Sequence, residues 1–152
     1  MRDFIEKTYV CESCFNIQRQ LRKIKCSECK SKMFYCDEWI SPTIQLLNRK
    51  GYLTEYCCSG HYDSEYEIVC GTYIKFKDDC PSDTPKGFFI SEEFRTRDCL
   101  YWGMPHHDIV GKMVVMEYGD GKTYGQKLMV LAKALDVLHK WAESLPDLTK
   151  GN

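Results

Sequence analysis

Two Cys-x-x-Cys pairs, Cys11/Cys14 and Cys26/Cys29, are the residues of this chain whose type and spacing speak most directly of chemistry. Each pair can set two thiolates on one side of a tight turn, and two such turns brought together offer four sulfur ligands. A tetrahedron of thiolates is what a structural zinc ion requires, at Zn–S distances of roughly 2.3 Å. Eleven residues separate the pairs, enough for one short hairpin to return the chain to the metal. A redox dithiol and an iron–sulfur cluster are the competing chemistries. The first usually stands alone beside a βαβ unit, and the second more often uses unevenly spaced cysteines. Zinc is therefore the expected cofactor, with Cys11, Cys14, Cys26 and Cys29 as its ligands.

A second cluster lies at Cys57-Cys58-Ser59-Gly60-His61. A Ser-Gly turn at a strand end exposes backbone N–H groups and lets a ligand approach closely. His61 adds a donor or acceptor, and Cys58 adds a thiol that its surroundings can activate. Cys58, Ser59, Gly60 and His61 are thus candidate ligand contacts. The same residues can also make a plain turn over buried cysteines, a nucleophile, or a second metal site with Cys36, Cys70, Cys80 or Cys99.

Gly119-Asp120-Gly121-Lys122-Thr123 falls between an expected strand and an expected helix, where phosphate meets free N–H groups and the positive helix end. Met116 stands where a P-loop needs its first glycine, which argues against nucleotide hydrolysis. Lys122 and Thr123 are candidates for an anion site, or else form a turn and helix cap. Arg95 and Arg97, followed by Tyr101-Trp102, join guanidinium groups to aromatics, a combination suited to phosphate pairing and base stacking. The alternative there is a solvated arginine pair and a core tryptophan. His106-His107 needs partners elsewhere to bind metal, and His139 reads as structural. No Ser-His-Asp order or carboxylate pair compels an enzymatic assignment.

The stretch from Leu46 to His61, with its Cys58-Ser59-Gly60-His61 loop, resembles small uncharacterised bacterial and prophage-type proteins that carry a helix, a strand and a Cys-x-Gly-His loop. That resemblance implies a binder that sequesters a nucleotide or blocks a host factor. Cys58-Ser59-Gly60 is also similar to the Ser-Cys-Ser-Gly-Arg loop of wybutosine-type tRNA methyltransferases. Those are α/β enzymes that use S-adenosylmethionine on a modified tRNA guanosine. Here Cys57 replaces that family's serine and His61 its arginine, so the substrate contacts do not carry over.

The rest of the chain must position these groups. Its 152 residues, 43% hydrophobic and 28% charged, suit one ordinary domain or a small metal-stapled module followed by a compact one. No apolar run approaches the roughly 18 residues of a membrane span, and the first residues carry acids and no signal-type apolar run. A cytoplasmic protein without membrane contact is expected, and there ten cysteines argue for metal and thiols rather than disulfides. Residues 1–35 hold eight Lys/Arg and four Asp/Glu, whereas the remainder holds thirteen and eighteen. Four thiolates with one Zn²⁺ would subtract two charges, so the basic head is only modestly attractive to nucleic acid.

Residues 1–36 read as a zinc ribbon, with strands over Ile17–Lys25 and Lys32–Tyr35. Residues 37–146 read as a small α+β domain with a mostly antiparallel sheet, and 147–152 as a polar tail. Ser41-Pro42 predicts a helix start, Ile40, Ile44 and Leu47 its apolar stripe, and Gly51 its left-handed end. Strands are expected at Tyr52–Cys57, at Ile68–Phe76 with a bulge at Gly71, and at Ile109–Tyr118, with Phe88–Ile90 as a short apolar run between them. Thr123 and Gln126 have capping-box spacing. The last helix follows, with Leu128, Leu131, Leu135, Leu138, Ala142 and Leu145 as its stripe. The combination predicts a zinc protein that binds a nucleic acid or a phosphate-bearing nucleotide. The alternatives are a small S-adenosylmethionine-dependent RNA-modifying enzyme and a zinc-ribbon adaptor between proteins.

Overall fold

The computed structural model describes residues 6–19, 25–63, 68–70, 72–78, 80–90, 99–102, 115–116 and 124–151. Within them the chain mixes two helices with three small antiparallel sheets. Strands β1 (Lys7–Cys11), β2 (Ile17–Gln18) and β3 (Met33–Asp37) form the first sheet, in the order β2-β1-β3. Alternation along β1 and β3 sends Thr8, Val10, Phe34 and Cys36 to one face and Tyr9, Cys11, Met33 and Tyr35 to the other. The first set faces the body of the protein. Val10 and Cys36 share one buried cluster with both helices.

Helix α1 (Ser41–Arg49) buries Ile44 and Leu47 completely, as their spacing predicts. Its start differs from expectation. The capping position is Ile40, with no side-chain cap, and Ser41 lies inside the first turn, where its hydroxyl donates to the Glu38 carbonyl at 2.9 Å. Pro42 keeps its place in that turn, where its missing N–H goes unneeded. Gly51 ends the helix at φ +94°, and an added Cβ there would stand 3.1 Å from the Leu148 Cβ. Buried Asn48 then ties helix to strand: its amide nitrogen donates to the Thr54 hydroxyl at 2.8 Å, and its oxygen accepts the Thr54 N–H at 3.0 Å.

Strand β4 (Thr54–Cys58) is one edge of a four-stranded sheet completed by β7 (Tyr73–Phe76), β9 (Cys99–Trp102) and β8 (Phe88–Ile90), in the order β4-β7-β9-β8. A third sheet pairs β5 (His61–Asp63), β6 (Ile68–Cys70) and β10 (Val115–Met116). The single strand expected over Ile68–Phe76 is therefore two strands in two sheets. The change of partner falls at Thr72, which is fully buried and donates its hydroxyl to the Ser59 carbonyl at 2.9 Å. Gly71 lies outside the described residues, as do residues 20–24 of the strand expected to end at Lys25; Lys25 itself forms an isolated bridge with Lys32.

Helix α2 (Tyr124–Ser144) closes the core, with Leu131, Leu138 and Ala142 fully buried. It is fastened to α1 by polar contacts as well. Thr43 Oγ1 and His139 Nδ1 meet at 2.9 Å, and Lys50 Nζ donates to the carbonyls of Ala142, Glu143 and Leu145 at 2.9, 2.6 and 2.7 Å. Thr123, the expected first residue of the capping box, lies outside the described residues. Among the described residues no helix is long and apolar enough to cross a membrane.

Candidate metal centre

The four expected ligands converge. The Sγ atoms of Cys11, Cys14, Cys26 and Cys29 all lie within 4.8 Å of one another. Cys11 and Cys29 approach to 3.4 Å, and Cys14 and Cys26 to 3.6 Å. Zn–S bonds of about 2.3 Å imply tetrahedral edges of about 3.8 Å, so the cluster is already near the size zinc requires. Cys11 and Cys26 are fully buried and Met33 covers them, while Cys29 stands at the exposed rim.

Two turns of the same design build the site. In the first, the Cys11 N–H donates to the Asn16 carbonyl at 2.9 Å, and the N–H groups of Ser13 and Cys14 point at the Cys11 sulfur from 3.4 and 3.5 Å. In the second, the Cys26 N–H donates to the Ser31 carbonyl at 2.9 Å, and the N–H groups of Glu28 and Cys29 favour the Cys26 thiolate. The residue after each pair, Phe15 (φ 58°) or Lys30 (φ 65°), takes the left-handed conformation usually left to glycine. Gln18 locks the turns together, its Oε1 accepting the Ser27 N–H at 2.8 Å.

These contacts set the thiols apart electrostatically. The Ser31 hydroxyl and N–H, with the Cys11 thiol, pull Cys29 down to about 6. The Cys29 and Glu28 N–H groups outweigh burial and hold Cys26 below the usual thiol value. At Cys14 the Asn16 N–H favours the thiolate, but burial and the three neighbouring sulfurs prevail and push it up to about 12. A divalent cation relieves that crowding by replacing the protons. An all-sulfur donor set in a closed tetrahedron fits a structural zinc, because no place is left for a catalytic water.

The Cys58-Ser59-Gly60-His61 loop is built around a residue the sequence did not single out. Asp37, at the end of β3, is 3% exposed and accepts both the N–H and the hydroxyl of Ser59 at 2.9 Å, while Lys7 pairs with its other oxygen. Burial alone would raise the Asp37 carboxyl, but Lys7 and the two Ser59 donors hold it below the usual carboxylate range. Ser59 is itself fully buried, and the Thr72 hydroxyl occupies its carbonyl. Gly60 turns the chain at φ +92°, with its N–H on the Cys58 sulfur at 3.4 Å. Burial pushes the Cys58 thiol up to about 12. Beside this loop, Cys36 Sγ and Cys57 Sγ stand 3.5 Å apart, and the neighbouring thiol together with burial drives Cys36 upward.

His61 opens β5 and Trp102 closes β9. Arg95, Arg97, Lys122 and Thr123 lie outside the described residues, as do His106 and His107. Among the described residues these four clustered cysteines are the only group of three or more potential metal ligands. Sequence reasoning missed Asp37 and Lys7 because their partners are distant in the chain. It missed Phe15 and Lys30 because the usual signal, a glycine after the second cysteine, is lacking. No protein-family model, curated protein or solved structure matches this chain.

Proposed function

We propose that this is a zinc-binding protein whose four-thiolate site holds an N-terminal ribbon, and that the ribbon docks on single-stranded nucleic acid. The observation that carries the metal reading is the convergence of four sulfurs within 4.8 Å, each pair backed by N–H donors. Zinc there supplies folding energy and a fixed frame rather than reaction chemistry.

The nucleic-acid reading is supported by what the ribbon presents. Tyr35 is 70% exposed and lies against Tyr9, with ring centres 4.8 Å apart. Lys25, Lys30 and Lys32 are exposed on the same small module, and Arg19 is exposed while reaching Glu38 at 2.8 Å. Bases stack on exposed aromatic rings for about 1–3 kcal/mol each, and lysines neutralise the backbone beside them.

Two measurements test the two halves separately. Elemental analysis of freshly purified protein should give one zinc per chain, and Cys26→Ser should abolish it; iron in its place, or no metal, overturns the metal reading. Anisotropy with a fluorescent single-stranded oligonucleotide should show binding that weakens with salt, with a log–log slope of roughly −0.7 per phosphate neutralised. Tyr35→Ala should weaken it about tenfold. Absent or salt-insensitive binding overturns the nucleic-acid half and leaves the protein-adaptor role for the ribbon.

A further inference from the structure

We propose that Cys36 and Cys57 form an oxidisable dithiol, a second thiol site separate from the metal centre, which hydrogen peroxide converts to a disulfide between β3 and β4. The two sulfurs already stand 3.5 Å apart. They sit on the facing edges of two different sheets, β3 ending one and β4 the other. Closing the bond asks the sulfurs to approach by about 1.5 Å, to the S–S length of about 2.05 Å.

What keeps the pair together is the polar clamp one residue on. Asp37 follows Cys36, and Ser59 lies two residues after Cys57; the two bonds from Ser59 to the Asp37 carboxylate hold both strands at fixed separation. The pair is also insulated from the metal ligands. Cys36 points into the body core, whereas Met33 and Cys11 occupy the opposite face of the first sheet. Cys58, next in sequence, projects to the other side of β4 and receives the Gly60 N–H.

The two thiols differ in access, and that sets the order of events. Cys36 is 3% exposed, while Cys57 is half-buried and meets solvent. The Cys57 thiolate attacks one peroxide oxygen, breaking the O–O bond, and becomes a sulfenic acid as hydroxide leaves and takes up a proton to form water. The Cys36 sulfur then displaces the hydroxyl from that sulfenic acid, giving the S–S bond and a second water. Two thiols are oxidised, one hydrogen peroxide is reduced, and the released protons end in the two waters. Reduction by an external dithiol reverses the change.

Zinc-loaded full-length protein treated with about one equivalent of hydrogen peroxide tests this. The intact mass should fall by two hydrogen atoms, and non-reducing peptide mapping should join the segments holding Cys36 and Cys57. A chromogenic chelator should detect no zinc released at that dose. The melting temperature should rise by roughly 5 °C and return with dithiothreitol, because the crosslink restrains the unfolded chain. Cys57→Ser should abolish the crosslink, and Cys58→Ser should retain it. Crosslinks among Cys11, Cys14, Cys26 and Cys29 with prior zinc release would overturn the proposal. So would sulfinic acid at Cys57 without a crosslink, or a second zinc that depends on Cys36.

Discussion

Two residues of opposite character show how single side chains shape the four-cysteine head and its junction. Lys30 holds a left-handed backbone at φ 65°, a conformation that costs a residue bearing a Cβ about 1 kcal/mol. Lys30→Gly should therefore raise zinc affinity in a chelator competition, and β-branched Lys30→Val should lower it. Equal affinities for the two variants would show that this backbone carries no strain. Asp37 was invisible to pattern reading, whereas the cysteines were plain. A Cys-x-x-Cys spacing is a local signal, but the value of Asp37 rests on Lys7, 30 residues before it, and Ser59, 22 residues after it. Asp37→Ala should cost about 3 kcal/mol at neutral pH, since it leaves the buried Ser59 donors without an acceptor. Because folding depresses the Asp37 carboxyl, its contribution is present above the ordinary value near 4 and is lost as pH falls through the lower folded value. The gap in urea stability between wild type and Asp37→Ala should accordingly narrow below about pH 4. A gap constant down to strongly acid pH would mean that charge plays no part.

At the scale of elements, both helices were legible because a 3.6-residue stripe survives any context: Ile44, Leu47, Leu131 and Leu138 are all fully buried where their spacing placed them. The strands were legible in kind but less so in extent. Ile68–Phe76 reads as one apolar run because side-chain alternation does not report where a strand changes partner. Lys50 was equally hidden, since the carbonyls it caps lie more than 90 residues away. A cation on the C-terminal carbonyls of a helix is worth up to about 2 kcal/mol when partly shielded. Lys50→Met, which keeps the stem and removes the charge, should lower the unfolding free energy by about 1–2 kcal/mol in urea titration. A change within error would place those three contacts among solvent-compensated surface bonds.

For the molecule as a whole, the junction between the four-cysteine head and the body decides how stability is shared. Strand β3 carries Met33 beside the ligands and Cys36 in the body cluster, and Val10 of β1 joins the same cluster as Ile40 and Leu138. Removing the metal should therefore weaken the body as well as the head. The indole of Trp141 is 7% exposed and donates to the Asp83 carbonyl at 2.6 Å, so its fluorescence reports on the body alone when Trp39 and Trp102 are replaced by Phe. Chelation should shift the urea midpoint seen by that probe downward. An unchanged midpoint would mean that head and body unfold independently. A basic head and an acidic body were readable from composition, but this sharing of one core was not, because it depends on which face of the first sheet meets α1.

The fastening of α2 over α1 also sets a timetable. All four clustered cysteines fall between Cys11 and Cys29, far ahead of α2, so a metal can be captured early by contacts that are local in sequence. Helix α1 follows at once, and β1, β2 and β4 supply part of its cover, yet the α2 face that packs on it, and the carbonyls that receive Lys50, arrive only with residues 124–145. For most of synthesis the nascent chain pairs finished cysteine turns with a helix that still lacks its α2 cover, a state prone to sticking to its neighbours. A ribosome stalled before residue 124 should hold a zinc-bound, protease-resistant head and a chaperone-engaged body, and release of α2 should end that engagement.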